Sequence, residues 1–187
     1  MRKLRYNVAS TLDGFIASSD NTTHWIVEDL SIDFTSLYAQ FSTFIMGRHT
    51  YETMLAFGES NPIKSKSVVV VSSTMSGDQQ AGVTVIKDDI IEYIKALKTE
   101  EVEEGNDIWL MGGGSLAGLF LKERLLDSME IAIMPVVLGK GVKMIHVPAG
   151  EEVRHSEEQT RWALKLEECE KKESGIVMTR YRVSYES

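Results

Sequence analysis

An α/β domain with one mixed, mainly parallel sheet and an antiparallel hairpin at its C-terminus is what this sequence predicts, and three observations carry the prediction. Asp107 to Gly141 reads as strand, glycine turn, helix and strand, a βαβ unit that requires a right-handed crossover. A second strand-to-helix turn of the same kind, Gly47-Arg48-His49-Thr50, follows the apolar run Thr43 to Met46. From Trp162 to Tyr185 the period changes to two: Trp162, Leu164 and Leu166 alternate with charged residues, Glu173-Ser174-Gly175 is a turn, and Ile176 to Tyr185 returns.

Size and charge narrow the function classes. A chain of 187 residues suits a single domain, 1–187, that buries roughly 70% of its unfolded surface. Its net charge of −8 disfavours nucleic acid and anionic membrane surfaces as partners, so an anionic ligand must be held by local donors. A single cysteine, Cys169, excludes an intrachain disulfide and a Cys metal cluster, and no metal site is predicted. Met1 to Asn7 lacks the apolar core of a signal peptide and no run reaches membrane-spanning length, so the expected location is the cytoplasm.

The first strand is expected at Leu4 to Ala9, ended by the turn Ser10 to Gly14 and followed by the short apolar Phe15-Ile16-Ala17 and a polar loop. Long loops in compact domains carry function, which makes Asp13 and Trp25 candidates for a ligand pocket, although Asp13 equally suits a cap on the Gly14 turn. Trp25 to Phe41 reads as a helix with Glu28, Asp29 and Asp33 in its first turns, where they complement the dipole. After the strand Thr43 to Met46, a helix is expected over Tyr51 to Phe57; Arg48 and His49 beside its N-terminus suit phosphate recognition.

Ser67 to Val71 is uniformly apolar and belongs inside the sheet, and the hydroxyls Ser72, Ser73 and Thr74 stand just past its C-terminal end, where open α/β sheets bind ligands. Val83 to Ile86 is another strand; Asp88 or Asp89 caps a helix running to Thr99, and Glu100 to Glu104 is an acidic loop. The strand Asp107 to Met111 is broken by Gly112-Gly113-Gly114, and Ser115 is the expected cap of a helix with Leu116, Leu119, Phe120 and Leu121 mainly on one face. Such a turn offers free N–H groups to an anion. Gly112-x-Gly114-x-x-Ala117 also fits the loose dinucleotide fingerprint, but one match with a single clear helix after it does not make a classical doubly wound fold. A strand over Glu130 to Leu138 and a flexible Gly139-Lys140-Gly141 loop complete the unit.

Taken in order, VASTLDGFIA (residues 8–17), FIMGRHTYETM (44–54), VVVVSSTM (68–75) and GGGSL to PVVLGKG (112–141) resemble the dihydrofolate reductase superfamily. The loop after the first strand and the long C-terminal block look most like the reductase domain of the bifunctional riboflavin-biosynthesis deaminase/reductase. The resemblance implies a dihydrofolate reductase-like three-layer fold, with helices on both faces of the sheet, and an NADPH-dependent reductase. Under it Gly47, Arg48, His49 and Thr50 hold one phosphate region, Ser72, Ser73 and Thr74 face the adenosine 2′-phosphate, and Met111, Gly112, Gly113, Gly114, Ser115 and Leu116 cradle the pyrophosphate. The nicotinamide then lies against Ala9, Gly14 and Ile16.

The sequence also departs from both patterns. Trp25 is followed by Glu28 and Asp29, close to the dihydrofolate reductase carboxylate but not at its spacing, and Phe34 to Phe44 lacks the basic residues with which the riboflavin-pathway domain grips a ribose phosphate. No zinc signature of a deaminase is present. The expectation is a stand-alone reductase, free or as a homodimer, acting on a small heterocycle of the pterin or aminopyrimidine type. Asp13 and Trp25 are then the expected substrate contacts, with Asp13, Glu28 or Asp29 handling the proton. A phosphorylated substrate would need a cation from elsewhere, such as Lys140, Lys143 or a second subunit. The alternative is a nucleotide-binding sensor or interaction protein that keeps the cofactor cleft without catalysis.

Overall fold

The computed structural model describes residues 1–75, 82–101, 106–147 and 161–185. Its strands are β1 (Leu4–Thr11), β2 (Phe15–Ala17), β3 (Phe41–Gly47), β4 (Ser67–Val71), β5 (Val83–Ile86), β6 (Asp107–Gly112), β7 (Ser128–Met134), β8 (Val142–Lys143), β9 (Ala163–Lys171) and β10 (Val177–Ser184). The helices are α1 (Phe34–Ala39), α2 (Arg48–Ala56), α3 (Ile90–Thr99) and α4 (Gly114–Lys122). One eight-stranded sheet runs β5-β4-β3-β6-β1-β7-β10-β9, parallel from β5 to β7, with β10 antiparallel to both β7 and β9. The predicted fold class, mixed sheet and closing hairpin are therefore all present.

Alternation along the central strands sorts their side chains into two cores. Leu4, Tyr6, Ile45, Ile108, Leu110, Met129 and Ile131 pack with Ala117, Phe120 and Leu121 of α4 and Ile94 and Leu97 of α3. On the other side Phe41, Phe44, Met46 and Trp109 pack with Tyr51 and Met54 of α2 and with Leu37 and Tyr38 of α1. Tyr38, Phe41 and Phe44 stand 5.0, 4.8 and 5.5 Å from Trp109, ring to ring. The second core backs β3, β4 and β6.

Five expectations need correction. The helix expected over Trp25 to Phe41 is confined to α1, because acidic side chains compete for the backbone: Asp29 accepts the Ser31 N–H at 2.9 Å and Asp33 accepts the Ser36 N–H at 3.0 Å, the latter capping the helix. The strand expected over Glu130 to Leu138 is β7, which stops at Met134 before Pro135, a residue with no N–H to give a ladder. Ser115 does not cap α4; Gly113 occupies the N-cap position without a side-chain bond. Asp89 occupies the corresponding position before α3 in a left-handed conformation, also without a side-chain bond. The 139–141 loop expected to be flexible leads into β8, which pairs with β2 in a separate two-stranded sheet. Of the acidic run, Glu100 binds Arg2 at 3.1 Å, while residues 102–104 lie outside the described residues.

Candidate active site

All strands from β5 to β7 point the same way, so the segments flagged as ligand turns gather at one edge of the sheet. The closest approach is between the turns after β3 and β6. A Cβ built on Gly47 would stand 4.0 Å from the Gly113 nitrogen, and one built on Gly113 would meet nothing within 4 Å. The N-termini of α2 and α4 therefore open side by side onto a surface that no side chain of the described residues fills, and the first N–H groups of a helix have no partner within it. Gly112, at φ 141, adopts a conformation that favours glycine, and its peptide bond to Gly113 is cis. A Cβ there would lie 3.5 Å from the Thr50 hydroxyl oxygen, which places Thr50 against the same turn.

The β4 turn joins this edge through Arg48, whose guanidinium donates to the Thr74 hydroxyl at 3.2 Å and lies 3.4 Å from Glu52. Ser73 and Thr74 are exposed, but Ser72 is buried and its hydroxyl accepts the N–H groups of Thr74 and Met75 at 3.2 and 3.1 Å. Ser72 shapes the turn. His49 is exposed, with Nδ1 3.5 Å from Glu52, and Ser115 is exposed at the start of α4, while Met111 and Leu116 pack against the two cores.

Gly114 has a different cause from Gly113. A Cβ at Gly114 would stand 2.0 Å from the Lys143 carbonyl oxygen and one at Gly118 2.1 Å from that of His146, so these glycines let a backbone strap lie on α4. The strap, residues 141–146, is tied down along its length. Met144 N–H donates to the Gly14 carbonyl at 2.9 Å, His146 N–H to the Gly114 carbonyl at 3.0 Å, and the Tyr6 hydroxyl to the Met144 carbonyl at 3.0 Å. Burial pushes the Tyr6 phenol above its ordinary range, so it stays a donor.

At the end of β1, Ala9 is half-buried and Asp13 is exposed. The Asp13 carboxylate accepts the Thr11 hydroxyl at 2.6 Å and the N–H groups of Gly139 and Leu138 at 2.7 and 3.2 Å. These bonds, the Thr11 hydroxyl foremost, hold its pKa below the usual carboxylate range. Gly14, at φ 83, turns the chain into β2, where Ile16 is half-buried.

Of the loop candidates, Asp29 accepts the Ser174 hydroxyl as well as the Ser31 N–H, and these bonds lower its pKa to about 2. Glu28 is exposed and makes no hydrogen bond or ion pair among the described residues. Trp25 is half-buried; its indole N–H is enclosed without a hydrogen-bond partner among the described residues. The structure thus gathers the phosphate-binding candidates at one edge and ties the two aspartates into loops.

Sequence reasoning missed a cleft of about 220 Å³ over β1, β7, β10 and β9. One wall is Ser31, Ile32, Asp33 and Leu37; the floor and far wall come from Asn7, Glu130, Met178, Thr179, Arg180, Glu168, Glu170 and Lys172. Under it lies a buried network in which Arg5 binds Glu130 at 2.6 and 2.8 Å and Asn7 donates to Glu130 at 3.0 Å. Polar residues inside strands that should be apolar were the available signal: Arg5 and Asn7 in β1, and Glu130 in β7.

Known proteins share this fold. The RibD C-terminal domain family matches the chain over residues 2–178. The uncharacterized protein YwjB of Bacillus subtilis is 32% identical over 148 residues, 78% of this chain and 83% of its own length. A solved structure from Shewanella sp. PV-4, provisionally assigned to riboflavin biosynthesis, superposes with a TM-score of 0.76 at 26% identity and covers 99% of this chain and 100% of its own. The diaminohydroxyphosphoribosylaminopyrimidine deaminase/5-amino-6-(5-phosphoribosylamino)uracil reductase of Thermotoga maritima shares the fold with a TM-score of 0.67 at 16% identity, covering 97% of this chain and 56% of its own.

Proposed function

The chain belongs to the RibD C-terminal domain family, and on that premise we propose that it is an NADPH-dependent reductase of a small heterocycle of the aminopyrimidine or pterin type. The observation that carries the reading is the bare surface at Gly47 and Gly113, where two helix N-termini meet with no Cβ between them. A pyrophosphate fits such a surface, because backbone N–H groups and both dipoles point at it. Arg48, with Ser73 and Thr74 exposed beside it, suits the extra phosphate that distinguishes NADPH from NADH. NADPH, when bound, supplies a hydride.

The remaining work falls to this chain's residues. Gly47, Thr50, Gly112 and Gly113 hold the phosphates, with His49, Ser115 and the α4 backbone around Gly114 at the rim. Ala9, Gly14 and Ile16 form the wall for the nicotinamide end, and the strap on Gly14 and Gly114 keeps that wall in register with the phosphate turn. Asp13 acts as a positioning residue that fixes the 138–139 backbone at the end of β1. Asp29 is committed to the Ser174 hydroxyl and the Ser31 N–H. The proton role therefore falls to Glu28, whose carboxylate is free among the described residues, with Trp25 on the same loop offering a stacking face.

Turnover of NADPH against pterins, aminopyrimidines, and nitro and quinone acceptors tests the proposal. Oxidation with at least one ring substrate and calorimetric preference for NADPH over NADH are expected. NADPH binding without oxidation by any acceptor would make the protein a sensor that keeps the crevice; no NADPH binding would remove the proposal altogether.

A further inference from the structure

We propose that the β9–β10 hairpin is the specificity wall of the substrate cleft, and that Glu168 and Glu170 set it for an unphosphorylated, flat, N–H-bearing ring; this rests on the reductase reading above. Strand register defines the floor. Ala9, Ala132 and Met178 are paired across β1, β7 and β10, with Glu170 beyond them, and the adjacent same-face row is Asn7, Glu130, Arg180 and Glu168. Of the apolar row Met178 lines the cleft, as does the whole polar row beside it, and Ile32 and Leu37 line the opposite wall. A flat ring fits this slot with its face on the apolar row and its edge on the polar row. The slot starts at Asn7, two residues before Ala9 on the same face of β1, where the nicotinamide end of the crevice begins.

Charge decides what the ring carries. The cleft holds two cations, either of which could grip a phosphate, and each is already bound by an acid of the hairpin. Arg180 donates to Glu168 at 2.7 Å and Lys172 to Glu170 at 2.8 Å. With Asp33, and with Glu130 already paired to Arg5 from beneath, the lining has four carboxylates against these two cations. A phosphate meets excess negative charge there, whereas amino and ring N–H groups meet acceptors on the mostly exposed Glu168 and Glu170. The absence of basic residues from Phe34 to Phe44 thus has a counterpart across the cleft: the hairpin supplies cations and neutralises them.

Calorimetry on protein saturated with NADPH, so that phosphate has no other expected site, tests this with 2,4-diaminopyrimidine and inorganic phosphate as probes. The wild type is expected to bind the diaminopyrimidine and not millimolar phosphate. Met178→Trp, which fills the cleft from its apolar row, should weaken the diaminopyrimidine at least tenfold while NADPH affinity stays within twofold. The double variant Glu168→Gln/Glu170→Gln, altered only at exposed side chains and therefore informative even if Met178→Trp misfolds, should weaken it at least fivefold and gain phosphate binding. Unchanged diaminopyrimidine affinity in either folded variant, or a wild type that binds phosphate and not the diaminopyrimidine, overturns the proposal. Loss of NADPH binding by the wild type would instead overturn the reductase reading.

Discussion

The two edges of the parallel sheet are built on opposite rules. At the N-terminal edge, charged groups bind one another. Arg2 donates to Asn106 O, Glu100, Ser42 and Thr43; Lys98 donates to Asp127 at 2.6 Å and Leu125 O at 2.7 Å; and Asp107 and Asp127 accept the N–H groups of Lys3 and Leu4. At the C-terminal edge, backbone N–H groups of two helices face bare glycine surface, and Arg48, Ser73 and Thr74 stand partly or fully exposed. Buried charge is tolerated only when its partners are complete, so a closed network serves stability, while donors without internal partners suit a ligand. The difference teaches that holding the fold and, on the function proposed above, binding the cofactor are assigned to opposite ends of the same strands.

Substitutions at each edge test that division. Lys98→Met should have the largest effect, about 3 kcal/mol of stability in urea unfolding, because it strands Asp127 beside a buried site; the folded variant should bind NADPH normally, and a parallel loss of affinity would break the division. Arg48→Ala, at the other edge, should cost about 1.5–3 kcal/mol of NADPH binding with a small change in stability. A negligible loss in calorimetry would return Arg48 to the protein surface. Adjacent glycines sharpen the contrast: Gly114→Ala should destabilise by about 1–3 kcal/mol, because its Cβ meets the Lys143 carbonyl oxygen at 2.0 Å. Gly113→Ala should leave the urea midpoint nearly unmoved and weaken NADPH.

The smallest effect concerns pH. Asp13, Asp29 and Asp33 all have folded pKa values below the ordinary carboxylate range, each through hydrogen bonds to neighbouring hydroxyls and N–H groups. Their contribution to stability is present above the unfolded pKa of about 4 and is lost as pH falls towards the folded values. Ser174→Ala removes the largest cause of the Asp29 shift, so the Asp29 titration followed by NMR should move upward from about 2. An unmoved midpoint would show that the link between the Asp29 loop and the hairpin turn is not formed in solution.

The fold was largely legible because its signals are local: apolar strands, two glycine turns before helices, and an alternating C-terminal pair. The two glycine turns that meet at the C-terminal edge were legible for the same reason, since Gly47 and Gly113 lie within the segments that advertise them. What stayed hidden depends on partners distant in sequence. Nothing near Asp13 announces Leu138 and Gly139, and nothing near Asp29 announces Ser174, so both aspartates looked available for chemistry. The cleft was hidden for a related reason. Its floor exists only once β1, β7, β10 and β9 are placed side by side, and its cations stood in strands read only for their apolar alternation.

The strap across α4 adds a consequence for how the crevice responds to a visitor. Because residues 141–146 are bonded both to Gly14 and to Gly114 and lie on glycines too tight for any side chain, the two ends of the crevice are parts of one rigid body before anything arrives. A molecule that spans the crevice then loses its own freedom and very little of the protein's. Fragments that fill either end separately should find the geometry already set, and joining them should gain affinity from the linkage itself, through effective concentration rather than through new contacts.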